Sequence, residues 1–134
     1  MQFEFVVHGT PRTPQTNSKK SRNDWRARVR AAALAVWPEE HPPFTEELSA
    51  VIVHYYTETT NIDVDGIAKL ILDALVGLVI EDDGLISQVV LRKTNQVSLQ
   101  ISNPTPTLAE TLGSYDSFVY VRLGNAPDHK ELPQ

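Results

Sequence analysis

The sequence predicts a single α+β domain over residues 1–134, a mixed or mainly antiparallel sheet with two principal helices in the order β-α-β-α-β-β-β. Three observations carry this prediction: a two-residue alternation at the start of the chain, two segments with apolar residues at spacings of three and four, and several short β-branched runs parted by Gly, Pro and Asn. A length of 134 residues is that of one domain and is enough to bury a core without cross-links. A hydrophobic share of 41% with 22% charged residues places the chain among ordinary globular proteins rather than disordered or fibrous ones.

Residues 2–8 form the first strand, with Phe3, Phe5 and Val7 on one face and Glu4, Val6 and His8 on the other. The Gly9–Ser18 stretch, rich in Pro, Thr and Asn, is a loop. From about Asn23 the period becomes helical: Trp25, Val29, Ala32, Ala33 and Val36 share a face, Asn23 or Ser21 can cap the start, and Pro38 ends the segment. Residues 39–47 connect to a strand over 48–57 (Val51, Ile52, Val53, Tyr55, Tyr56), which Thr59, Thr60 and Asn61 end. The clearest helix spans 65–78, with Ile67, Leu70, Ile71, Ala74, Leu75 and Leu78 in one stripe and Gly77 near its end. Strands are expected over 85–92, 96–102 and 118–123. Residues 103–117 form a loop around a short helical turn at 108–112, and the tail from about 124 is expected to fray.

Cysteine is absent, which removes disulfides, thiolate metal sites and cysteine nucleophiles. No run approaches the roughly 20 apolar residues of a membrane span, and Met1-Gln2-Phe3-Glu4 does not begin a signal peptide, so a cytoplasmic protein is expected. The net charge of −5 is unevenly divided. Residues 1–30 hold seven basic and two acidic side chains, and the remainder five basic and fifteen acidic. Such an asymmetry speaks to partners, and leaves both a polyanion and a cation open.

The chemistry concentrates in Asp63-Val64-Asp65-Gly66-Ile67-Ala68-Lys69, Asp73-Ala74-Leu75 and Glu81-Asp82-Asp83-Gly84. Asp63 and Asp65 are two apart in extended chain, so they project to one side. If the strand after Asp82-Asp83 pairs with the strand before Asp63, the two acidic sites converge, and carboxylates so gathered need a cation, with Mg²⁺ the natural oxygen-seeking candidate. Plain structural roles also exist: Asp65 as a helix cap, Asp82-Asp83-Gly84 as a tight turn, and Lys69 with Asp73 as a surface pair. Arg22, Arg26 and Arg30 recur every four residues and form a ridge preceded by Lys19-Lys20, either a solvated face or a phosphate-contacting one. His8 and His54 have no metal spacing and read as sheet residues.

Together these segments closely resemble the RusA-like family of Holliday junction resolvases, small nucleases often encoded by phages and prophages, whose pattern runs Asp-x-Asp-Asn, Lys, Asp-Ala-Leu-x-Gly and Asp-Asp before a strand. The resemblance extends to Gly9-x-Pro11, the basic helix around Trp25, and Lys93. It implies metal-binding and catalytic roles for Asp63, Asp65 and Asp83, with Asp82 as a neighbouring carboxylate, and places Lys69 near the scissile phosphate. It also implies Mg²⁺ (Mn²⁺ as substitute), a homodimer, and paired nicking of four-way DNA junctions in recombination and repair. Neither a membrane nor an organic cofactor is expected. The chain departs from the family at Gly66, where asparagine is usual and would help orient a carboxylate or water. Two other readings stand beside this one: a non-catalytic relative that binds branched DNA, and a protein-interaction domain using its acidic surface.

Overall fold

A computed structural model of the chain describes residues 2–57, 62–97, 99–112 and 116–133. The expected stop at 59–61, Ser98 of the expected fourth strand, and Gly113 of the loop lie outside the described residues. Four strands, β1 (Phe3–His8), β2 (Leu48–Tyr56), β3 (Ile86–Asn95) and β4 (Phe118–Asn125), form one sheet in the order β1-β4-β2-β3. β4 runs antiparallel to both β1 and β2, whereas β2 and β3 are parallel. The sheet is therefore mixed, one of the two forms expected. The parallel pair follows from its connection: a crossover carrying a helix, not a hairpin, joins β2 to β3.

Helix α1 (Lys19–Val36) begins four residues earlier than Asn23 because Ser18 caps it, its side chain accepting the Ser21 N–H at 3.1 Å. It ends as Trp37, the residue before Pro38, turns extended. Trp25, Val29 and Ala33 are buried, but Val36 is 55% exposed, so the last turn of the apolar stripe leaves the core. The second helix is shorter than its sequence stripe. A 3₁₀ turn, Val64–Gly66, precedes α2 (Ala68–Leu75), and Val76 leaves helical geometry. Leu78, Val79 and Ile80 then all direct their N–H groups at the Leu75 carbonyl, while Gly77 (φ +86°) makes the turn. Ile67, Leu70, Ile71, Ala74 and Leu75 are buried against α1 and the sheet as predicted.

The helices cover one face of the sheet, with Phe5, Val7, Leu48, Ile52, Val121 and Leu123 beneath them. The opposite face carries a second apolar cluster of Val53, Tyr55, Phe118, Tyr120 and Leu108, the last from α3 (Pro106–Thr111), which Thr105 caps. Leu99, Ile101 and Leu112 pack against it. This explains why the strand expected at 96–102 is not found among the described residues. The alternation of Val97, Leu99 and Ile101 resembles a strand, but the Leu99 N–H turns back to the Gln96 carbonyl, and Leu99 and Ile101 drape over the sheet instead of joining it. β4 continues to Asn125, opposite Leu48, and His129 beyond it reaches the Glu47 carboxylate, so the first tail residues are held where fraying was expected. No helix of the described residues is long and apolar enough to cross a membrane.

Candidate active site

The segment after β2 positions the paired aspartates. Asp63 lies in extended backbone (φ −70°, ψ 139°) at the entry to the Val64–Gly66 turn, which closes through the Gly66 N–H on the Asp63 carbonyl and the Ile67 N–H on the Val64 carbonyl. Ile67, fully buried, fixes this turn to the core while Asp63 and Asp65 stay exposed. The helix-cap role open to Asp65 is not taken: the positions capping the turn and α2 are Asp63 and Ile67, and neither makes a side-chain cap bond. The base of the crossover is further held by Lys93 of β3, whose Nζ donates to the Ile62 carbonyl at 3.0 Å.

Lys69, near the start of α2, links the two acidic segments. Its Nζ stands 3.0 Å from Asp73 Oδ1 and 3.4 Å from Asp83 Oδ2. Those partners, Asp73 first and Asp83 second, raise its pKa above the usual lysine value, so the ammonium stays charged. Asp83 lies in the Asp83–Leu85 turn ahead of β3, and the neighbouring Asp82 accepts the Gly84 N–H at 3.0 Å, the tight-turn role. Because β3 runs parallel to β2, its first residue Ile86 sits beside Leu48, at the far end of β2 from Asp63. Asp83 thus reaches the site across Lys69 rather than beside the end of β2. Among the described residues no three His, Asp or Glu side chains gather as a metal-binding group. Asp63 and Asp65 stand on one wall with Lys69, whose ammonium is paired with Asp73 and Asp83.

That wall belongs to an open trough of about 690 Å³, lined by Asp63, Asp65, Gly66 and Lys69 on one side and by the 11–16 loop on the other. The loop brings Arg12, Thr13 and Gln15 to the aspartates, residues that a reading of local period had no means to find. Its shape comes from Thr13, whose backbone N–H donates to Thr16 Oγ1 while its own hydroxyl accepts the Gln15 N–H.

The basic ridge of α1 is more heavily engaged than its sequence shows. Arg22 donates to the Thr16 carbonyl, and Arg26 bonds Asn23 and lies 3.9 Å from Asp73. Arg30 donates to the carbonyls of Ala74 (3.2 Å) and Val76 (3.1 Å), satisfying the end of α2. Lys20 pairs with Asp24 at 2.8 Å, and Lys19 is exposed.

A family model described as Endodeoxyribonuclease RusA matches residues 3–102. The chain belongs to the RusA endodeoxyribonuclease family. No curated protein matches it. Membership makes it one of a family of nucleases that act on branched DNA, in agreement with the sequence resemblance. The RusA match covers β1 through β3 and the whole trough, while β4, which sits between β1 and β2, falls outside it. Gly66, where the RusA-like pattern carries asparagine, is packed closely. A Cβ built there would stand 3.1 Å from Thr13 Cγ2, so any side chain would push the 11–16 loop by a few tenths of an ångström.

Proposed function

We propose that this chain is a divalent-cation-dependent endodeoxyribonuclease that resolves four-way junctions by paired nicks as a homodimer. The observation that carries the reading is the convergence of Asp63, Asp65 and Lys69 on one wall of an open trough, inside the segment matched to RusA. The donor set suits a hard cation, since Mg²⁺ takes oxygen ligands, keeps several waters and is commonly held by one or two carboxylates plus substrate phosphates. Asp63 and Asp65 would hold it, with Asp83 and its neighbour Asp82 as further carboxylates on the Lys69 side, and Mn²⁺ as a substitute. When bound, the cation supplies charge to the phosphodiester transition state and acidifies water.

The protein's own side chains do the rest. Asp63 and Asp65, exposed and free of cap bonds, accept hydrogen bonds from the attacking water and orient it toward phosphorus. Lys69, held protonated by Asp73 and Asp83, donates to the phosphate or the departing oxygen as negative charge grows there. Lys19, Lys20, Arg22, Arg26 and Arg30 add phosphate contacts at a distance from the cut. A two-fold dimer presents two such troughs to two strands of a symmetric junction.

Gly66 is the observation that favours the second reading, a relative that binds branched DNA without cutting it. The two part in one assay, in which a synthetic four-way junction and a linear duplex of the same sequences are incubated with the protein in Mg²⁺ or Mn²⁺. Paired nicks in the junction and an intact duplex are expected. A junction retained on the protein but uncut assigns the chain to the second reading.

A further inference from the structure

Beyond the trough two more hollows continue along the surface. Thr10, Arg12, Ser21, Asp24, Trp25 and Arg28 line the first, and the second runs along His8, Gly9, Thr10 and Arg28 to Asp116 and Ser117. Adjacent hollows share walls: Arg12 belongs to the trough and the first hollow, and Arg28 to both hollows. The three therefore form one path that starts at Asp63 and Asp65 and is marked by an arginine at each junction. Arg28 can lie there because Gly9, at φ +117°, has no Cβ; one built at that position would stand 2.6 Å from the guanidinium.

The two arginines differ from Arg26 and Arg30 of the α1 ridge, which each have two partners, in what they leave free. Arg12 donates to the Thr10 carbonyl at 3.3 Å, and Arg28 to the His8 carbonyl at 3.2 Å. These bonds steady each guanidinium while using a fraction of its five N–H donors. Among the described residues neither is ion-paired with a carboxylate. Asp24 lines the first hollow, but its carboxylate is paired with Lys20. A planar, fixed donor fork with open capacity is suited to phosphate oxygens.

We propose that Arg12 and Arg28 bind successive backbone phosphates of the DNA strand on one side of the scissile phosphate, along the path from Asp63 and Asp65 to the end of β1. This rests on the nuclease reading of the trough and adds the direction in which the strand leaves it. The contacts are to phosphate, so they add affinity and register without sequence preference.

The test is the salt dependence of binding to a synthetic four-way junction in EDTA, where no cutting competes. Each lost phosphate contact makes the slope of log affinity against log salt shallower by about 1. Arg12→Gln with Arg28→Gln is expected to reduce the slope by about 2 per bound protomer, and Arg12→Lys with Arg28→Lys to retain it. A wild-type slope in the glutamine pair, with the junction still bound, overturns the path and leaves the nuclease reading intact. A lysine pair as impaired as the glutamine pair overturns it too, because position and not charge would then matter. Wild-type protein with no affinity for the junction overturns both readings together.

Discussion

Asp65→Asn is expected to slow junction cleavage by about 10³-fold while binding the junction as tightly as wild type or more tightly. Loss of a single group that stabilises developing charge or positions the reacting water costs about 10²–10³-fold in well-studied active sites, and a carboxylate that also holds the cation contributes on both counts. The direction of the affinity change follows from the wall itself. Asp65 is exposed in the trough that receives a polyanion, so removing its charge removes a repulsion. The substitution leaves the fold alone, because the Asp65 side chain caps neither the turn nor α2. Single-turnover cleavage rates and gel-shift affinities on one junction separate the two effects. Equal losses of rate and affinity would instead place Asp65 in binding.

The second large effect lies in the core. His54 of β2 is fully buried, and neither ring nitrogen has a hydrogen-bond partner among the described residues. Burial, followed by the positive charge of Lys93 paired opposite it on β3, depresses its pKa to about 4 from the ordinary 6.5. The folded state thus holds this imidazole neutral. Between pH 6.5 and 4 the unfolded chain takes up a proton that the folded protein refuses, so stability falls as pH drops through that window and rises as pH increases through it. The full shift corresponds to about 3 kcal/mol. His54→Leu removes the titration and the two unsatisfied nitrogens, and should match or exceed wild-type stability at pH 8. Urea unfolding at pH 8 and pH 4.5 measures the difference directly. A variant that loses as much stability as wild type on acidification would show that the histidine is not the cause.

The parts of the molecule that sequence made legible are those whose physics is local. The stripe from Ile67 to Leu75 needs one face buried and declares it by its period; Asp63 and Asp65 do line one trough, but through the Val64–Gly66 turn and not through the extended chain expected of them. The parallel pairing of β3 was not legible, since alternation is the same in either direction and only the crossover decides it. Arg30 looked like one of three equivalent arginines, yet its bonds run to carbonyls more than forty residues away. Arg12 was hidden for a different reason: a Gly- and Pro-rich loop has no period, and only the fold brings it to the trough that Asp63 also lines. Leu99 and Ile101 misled because burial on the second face of a sheet produces the same alternation as membership of it.

Cleavage of a synthetic four-way junction with Mg²⁺ titrated from zero, by wild type and by Asp63→Asn with Asp83→Asn, decides whether the Asp63–Asp65–Lys69 wall is a metal-dependent phosphodiesterase site. A metal-dependent site there gives paired nicks whose rate rises with Mg²⁺, no cutting in EDTA, and no cutting by the double variant at any Mg²⁺ concentration. Cleavage by the double variant at the wild-type rate, or wild-type cleavage undiminished in EDTA, would contradict it.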